Sequence, residues 1–568
     1  MRRSALLPGL AAALAACTTP PLPPVSNQSP ALFDWFEYRG DDRLPAPAVV
    51  EYGNPILQGF YPDPSITRAG EDYYLVNSTF AWFPGIPVFH SRDLVNWTQI
   101  GHAIDRPGQL DFARLGLSRG VFAPAIEHHR GTFYIVNTCV DCGGNFVITA
   151  KHPRGPWSDP VWLPQIDGID TSLFFEGDGS AWILNNGPPV GEPRYDGHRA
   201  IWIQRFNPQT LQPFGKRSVL VDGGVDPSTK PIWIEGPHIL RKDGFYYLTA
   251  AEGGTAEGHS QVVLRSRRAE GPYEAFSGNP ILTQRDLPRD RANPITSAGH
   301  ADLVETQTGE YWATFLAVRP YEGDYYNTGR ETFLMPVHWE DGWPRITAPG
   351  ETIPWKLRKP RLPAGARPLV PTSGPFTWRD EFDEAELPLH WAMMRNPRSR
   401  WWRIGGGALV LEPRAVRLGD QANPSFLARR QQHLNASATT VVRFTSAAED
   451  AEAGIVALQS DDHWYFLAVG QDKGSPVVRL KRRNGAAEPP GGTVIRAARL
   501  PVRSGVPVHL AIDARGAQYE FRWSVDGRRW HSLVAGADGK ILSTRHAGGF
   551  VGAMFGLHAF APPRETIE

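Results

Sequence analysis

One pattern occurs five times in this chain and restricts its fold more than any other feature. A short extended run opens on a small, polar or acidic residue, a Gly/Asp turn follows, and an aromatic-rich strand returns. The first copy is Tyr61-Pro62-Asp63-Pro64-Ser65-Ile66 before Gly70-Glu71-Asp72-Tyr73-Tyr74-Leu75-Val76. The next two are Phe122-Ala123-Pro124-Ala125-Ile126 before Gly131-Thr132-Phe133-Tyr134, and Asp170-Thr171-Ser172-Leu173 before Gly179-Ser180-Ala181-Trp182. Glu235-Gly236-Pro237-His238-Ile239 before Gly244-Phe245-Tyr246-Tyr247, and His300-Ala301-Asp302-Leu303-Val304 before Gly309-Glu310-Tyr311-Trp312, complete the set. Copies lie roughly 50–65 residues apart, the size of a propeller blade. If each copy is the inner hairpin of a blade, the openers Asp63, Ala123, Asp170, Glu235 and His300 all point at one central axis. Three carboxylates and one imidazole then converge on one pocket, where each shifts the others' proton affinity. Such a cluster is a functional-site candidate.

The rest of the composition agrees with an all-β chain. Among 568 residues there are 19 Trp, 16 Tyr and 27 Phe, with 57 Gly and 52 Pro to make turns. Good amphipathic helices are absent from the repeat region. Lys plus Arg and Asp plus Glu both number 59, so nothing points to nucleic acid or an anionic surface as the main partner.

The first residues read as an export signal. Arg2-Arg3 precede an apolar run from Ala5 to Leu14, then Leu14-Ala15-Ala16-Cys17. The run is too short to cross a membrane as a helix. Cys after Leu-Ala-Ala resembles the bacterial lipobox, which implies cleavage after residue 16 and a lipid anchor at Cys17. The other reading is an ordinary signal peptide with an incidental Cys. An exported lipoprotein of the periplasm or outer membrane is the expectation, with residues 17–50 as tether and lead-in. The aromatic part of that lead-in, Phe33 to Tyr38, is expected to pack on the outside of the first domain. Cys139 and Cys142 are the other cysteines. C-x-x-C serves redox chemistry, half a zinc site or a local disulfide. With no second pair and no thioredoxin-like context, a disulfide is the first choice in an exported chain.

Residues 51–357 hold the repeats. Residues 358–375, with five prolines and two glycines, read as an interdomain linker. From 376 to 568 the pattern becomes evenly spaced alternating strands, among them Thr439–Phe444, Trp464–Val469 and Tyr519–Val525, which predicts a jelly-roll-like β-sandwich. Asp526-Gly527 after the last of these signals a two-residue hairpin.

Two carboxyl groups, one protonated and one ionised, are the minimum equipment for hydrolysing a glycosidic bond. Asp63 sits between two prolines that stiffen its backbone. Glu235 follows the apolar Pro231-Ile232-Trp233-Ile234, a setting that raises a carboxyl's pKa and suits a general acid. Asp170, whose plain role is a strand-end cap, supplies a third like charge. Phosphoryl transfer and Ser-based hydrolysis fit badly, since neither a Walker loop nor a nucleophile elbow is present.

Asn54-Pro55-Ile56-Leu57-Gln58-Gly59-Phe60-Tyr61-Pro62-Asp63-Pro64-Ser65 closely resembles the opening of glycoside hydrolase family 43, the β-xylosidases and α-L-arabinofuranosidases. Ser78 to Gly85, His90 to Trp97, Gly168 to Phe174, Glu235 to His238 and Gly329-Arg330-Glu331-Thr332 resemble it too. The resemblance implies an inverting mechanism with Asp63 as general base, Glu235 as general acid and Asp170 tuning and orienting. It implies that Arg330 binds sugar hydroxyls, against the plainer reading of a salt bridge with Glu331. Phe80 and Phe122 would wall the sugar pocket, Phe122 standing where many xylosidase members carry Trp. Trp82 is either a third wall or core. The resemblance lets His300 hold a water or a calcium ion beneath the site, although a lone imidazole is more often a hydrogen-bonded structural group.

The expectation is therefore a five-bladed β-propeller plus β-sandwich that releases single pentose units from xylan-derived oligosaccharides as an exo-acting β-xylosidase, with no required cofactor. An α-L-arabinofuranosidase, or an enzyme with both activities, is the near alternative. An endo-arabinanase fits less well. A cell-surface glycan-binding protein without catalysis is the alternative of another class; the intact trio Asp63, Asp170 and Glu235 speaks against it.

Overall fold

The computed structural model describes residues 29–446 and 448–563, so the lipidation site expected at Cys17 lies outside the described residues. No helix among the described residues is long and apolar enough to cross a membrane. Five antiparallel sheets follow one another along the chain, each opening with one of the repeated hairpins. The first sheet is built from Ser65–Ala69, Asp72–Val76, Gly85–Ser91 and Thr98–Ile104. The inner strands of all five are Ser65–Ala69, Ala125–His129, Ile169–Phe175, Glu235–Lys242 and Thr296–Glu305. Each inner strand lies beside the next, and the fifth lies beside the first, so the blades form a closed ring.

The aromatic residues of the returning strands explain why the blades stack. Tyr74 packs edge-on against Phe133 of the second blade, with centroids 5.0 Å apart. Tyr134 meets Phe175 of the third at 5.1 Å, Phe174 meets Tyr246 of the fourth at 5.8 Å, and Tyr247 meets Trp339 of the fifth at 5.0 Å. Neighbouring aromatics on a two-residue period can face two blades at once, and edge-to-face pairs add to the area they bury. The ring is fastened where the chain enters and leaves. Glu51–Gly53 pairs with Lys356–Arg358, and the Asn54 amide both donates to Leu334 C=O (2.9 Å) and accepts from Leu334 N–H (3.0 Å).

The second domain is two packed eight-stranded sheets. Here the lead-in departs from expectation. Ala31–Gly40 does not pack on the outside of the propeller. It is a central strand of one sandwich sheet, between Leu409–Leu411 and Asn435–Arg443 over part of its length and also paired with Phe376–Asp380. Its burial alternates, with Ala31, Phe33, Phe36 and Tyr38 all inside. Placed there, the strand buries its aromatic face against Trp391, Phe376 and Phe555, which an exposed site on the propeller would leave wet. The two-residue hairpin at Asp526-Gly527 is also corrected. The strands Gln518–Ser524 and His531–Asp538 are joined by six residues, because the Asp526 carboxylate accepts from both Arg528 and Arg529 N–H and winds the chain into a wider turn.

The two domains share structure. The propeller's Trp82–Phe83 pairs with Ala392–Met394 at the edge of the other sandwich sheet. Buried Arg319 bonds Glu331 of the fifth blade (2.5 Å), Asp42 after the lead-in strand, and the Gln432 carbonyl of the sandwich. Residues 358–375 carry no strand after Arg358 and run along the propeller, where Gly365 N–H donates to Asp93 at 2.7 Å. Cys139 and Cys142 form a disulfide across the tip of the second blade's central hairpin.

Candidate active site

The inner strands deliver their openers to one cavity of about 470 Å³, lined among others by Asp63, Ala123, Asp170, Glu235, His300, Arg330, Phe80 and Phe122. All five openers therefore meet, from five blades. The local backbone shows how. Asp63, Asp170 and His300 have φ of 50°, 55° and 52°, the left-handed region that L-residues seldom occupy. The ladders of the third, fourth and fifth blades slip register at Ile169/Ser172, Glu235/His238 and Gly299/Asp302. A bulge re-aims one side chain without moving the strand, so these three blades turn Asp170, Glu235 and His300 into the cavity. Gly236 is obligatory in this arrangement. Its φ is +57°, and a Cβ there would sit 2.7 Å from His300 Nε2.

The surroundings of the two principal carboxyl groups differ in kind. Asp63 Oδ1 is 3.0 Å from Arg330 Nη1, and its Oδ2 accepts from Ser78 Oγ at 2.5 Å. Arg330 thus pairs with Asp63, not Glu331; Glu331 is taken by Arg319 and by Gly59 N–H (2.6 Å). Glu235 has no ion-pair partner among the described residues, and Arg330 and Arg199 oppose its raised pKa only in part. Burial first, then the Asp170 and Asp63 carboxyls, pushes its pKa well above the usual carboxylate range. Asp170, which accepts from Gly236 N–H at 3.1 Å, is pushed up to about 7 by burial and by Asp63. His300 Nδ1 lies 3.9 Å from Asp63 Oδ1, and burial lowers its pKa to about 4, so the ring is neutral near pH 7. One cavity therefore holds a carboxyl pushed toward its protonated form and a carboxyl held in an ion pair.

Asp170, Glu235 and His300 offer three ligand atoms within 4.8 Å of one another. Two carboxyl oxygens and one nitrogen fall well short of the six to eight oxygens a calcium ion takes, so these three side chains alone do not fit calcium.

Phe80 and Phe122 line the cavity and pack edge-on at 5.2 Å. Trp82 does not reach it. That residue is fully buried beneath the sandwich, 6.4 Å from Phe426, because its strand is the edge of the sandwich sheet. The third aromatic is instead Phe550, from the sandwich, stacked on Phe80 at 5.7 Å with the Arg330 guanidinium 5.3 Å from its ring. Phe550 N–H donates to Ser118 Oγ (2.8 Å), and Ala553 N–H to Asn327 C=O (2.7 Å). Between these anchors Gly329 and Gly552 touch backbone to backbone, with no room for a Cβ on either. Phe550 carried no local signal in the sequence, because its place is set by contacts with Phe80 and Ser118 of the other domain. Trp233, which also lines the cavity beneath the Arg199 guanidinium, was visible only as part of an apolar approach to Glu235.

Carboxyls in unlike surroundings, walled by aromatics at a propeller axis, are the equipment that hydrolysis of a glycosidic bond requires. The comparisons agree with that chemistry. The profile of glycosyl hydrolases family 43 matches residues 52–344, and that of the β-xylosidase C-terminal concanavalin A-like domain matches 379–566. A "xylosidase/arabinosidase" of Butyrivibrio fibrisolvens is 36% identical over 529 residues, 90% of this chain and 96% of that protein. A "non-reducing end alpha-L-arabinofuranosidase" of Bacteroides ovatus is 35% identical over 519 residues, covering 90% and 92%. A crystal structure of a GH43_12 protein from capybara gut metagenome superposes with a TM-score of 0.85 at 37% identity, covering 93% of this chain and 99% of that one. The chain belongs to glycoside hydrolase family 43.

Proposed function

We propose that the protein is an exo-acting, inverting β-xylosidase that removes single pentose units from xylan-derived oligosaccharides. The observation that carries this reading is the opposed setting of Glu235 and Asp63 around one aromatic cup. Glu235, pushed toward its protonated form by burial and by Asp170 and Asp63, gives its proton to the leaving glycosidic oxygen as the bond to the anomeric carbon breaks. Asp63, held by Arg330 and Ser78, takes a proton from the water that attacks the opposite face. Asp170 accepts from Gly236 N–H and, when ionised, its like charge raises the proton affinity of Glu235. Arg330 spans Asp63 and the Phe550 face, where a terminal sugar's hydroxyls can meet it.

A second reading is α-L-arabinofuranosidase activity in the same pocket, whose walls include Phe80, Phe122 and Phe550. The names of the Butyrivibrio and Bacteroides relatives support it. Initial rates on an aryl β-xyloside and an aryl α-L-arabinofuranoside separate the two. Proton NMR of the first-formed sugar tests inversion. Turnover of neither glycoside overturns both readings, and a product of retained configuration overturns the mechanism.

A further inference from the structure

A larger cleft than the active-site cavity lies at the seam of the two domains, about 770 Å³ in volume. One wall is propeller: the loop from Pro107 to Ala113, Cys142 and Trp162. The other is sandwich: Glu386, the run from Asn396 to Arg400, and Trp402. Nothing in the catalytic reading uses any of these residues.

The walls are fixed to each other. Asn396 Oδ1 accepts from Phe112 N–H at 2.8 Å, and next to it buried Arg395 donates to Leu115 C=O (2.7 Å) while pairing with Asp461 of the sandwich (2.9 Å). Each wall presents a half-buried indole. Trp162 packs edge-on against Phe146 at 5.4 Å and lies over Gly143, where a Cβ would meet the ring at 2.4 Å. Trp402 packs edge-on against Trp401 at 5.0 Å, with the Arg400 guanidinium 5.5 Å from its ring. Around them stand exposed Asp111, Glu386 and Arg398, and Arg398 takes no protein partner among the described residues.

We propose that this cleft is an accessory binding site for the backbone of a pentose oligo- or polysaccharide, a proposal that rests on the activity read above. A pyranose or furanose ring has apolar C–H faces and a rim of hydroxyls. Half-exposed indoles take the faces, and carboxylates with a free guanidinium take the rim. A nucleotide or another anion fits less well, because Asp111 and Glu386 share the walls with the arginines. The cleft is also next to the chemistry. Val140 lines the active-site cavity and Cys142 lines the cleft, two positions apart on the hairpin tip that the Cys139–Cys142 disulfide closes. Between them, Asp141 pairs at 2.6 Å with Arg119, itself a lining residue of the active-site cavity. A glycan held in the cleft is thereby kept beside the active-site mouth, which raises the local concentration of chain ends.

The test is affinity electrophoresis of the full-length Glu235→Gln protein through native gels containing arabinoxylan, linear arabinan or no polysaccharide. Retardation is expected in at least one glycan gel, and which one assigns the backbone. Adding Trp402→Ala or Trp162→Ala is expected to weaken retention about fivefold or more, the loss of one stacking contact of about 1 kcal/mol, and Trp402→Phe to restore most of it. In the Glu235 background, Trp402→Ala is expected to keep kcat/KM on an aryl glycoside within about twofold. Should a tryptophan variant fail to fold, Arg398→Ala on the exposed rim carries the same expectation. Absence of retardation in both glycans, or retardation unchanged by all of these variants, overturns the proposal. Failure to hydrolyse any aryl pentoside would overturn the activity instead, and is read in a separate assay.

Discussion

The sharpest consequence of the site concerns Glu235→Gln. The side chain is 6% exposed, carries no ion-pair partner among the described residues, and is pushed toward its protonated form by burial and by Asp170 and Asp63. Glutamine keeps its shape and its apolar fit but has no proton to give. A positioned general acid contributes about 10²–10⁴ in rate, or about 3–5 kcal/mol of barrier. That full loss is expected in kcat for xylobiose or an alkyl xyloside, whose leaving alkoxide needs the proton. With a dinitrophenyl leaving group, stable without protonation, the loss is expected to shrink to about tenfold or less. Steady-state kinetics across a series of leaving groups reads this directly as a steeper dependence on leaving-group pKa in the variant. The wild-type rate is also expected to fall as pH rises through the raised Glu235 pKa, and the variant to lose that alkaline limb. Equal losses on good and poor leaving groups, or an alkaline limb that survives the substitution, would refute the assignment.

Asp170→Asn is expected to slow turnover and to move the alkaline limb to lower pH, since one of the charges that raises Glu235 is gone. The same variant bears on stability. The folded pKa of Asp170 is about 7, above its ordinary 3.8, so the native state holds a proton that the unfolded state gives up between those values. Wild-type stability therefore falls as pH rises across that window; the variant is expected to have the higher Tm at pH 8 and to converge with wild type near pH 4, by calorimetry. Phe550→Ala removes one aromatic wall without touching a proton donor, and a contact of about 0.5–1.5 kcal/mol predicts KM raised about 2- to 12-fold with kcat nearly kept. Gly236→Ala places a methyl against His300 in left-handed backbone, costing at least about 1–2 kcal/mol, and is expected to lower both Tm and activity; wild-type-like behaviour in both would refute the close approach.

The sequence by itself determined the ring and which residues meet at its axis. The hairpins carry a local two-residue alternation and turn residues, and their repetition implies equivalent positions, so Asp63, Asp170, Glu235 and His300 could be named together before any coordinates. Their differing environments were legible only in part: the apolar approach to Glu235 is contiguous with it, whereas the ion pair of Asp63 comes from Arg330, 267 positions away. What only the tertiary structure decided shares one cause. The lead-in strand pairs with Asn435–Arg443, Trp82–Phe83 closes a sandwich sheet, and Phe550 stacks on Phe80. Each depends on which distant surface buries the residue. An aromatic in an alternating strand fits a propeller face and a sandwich face equally well, so the choice falls to the packing of the whole chain.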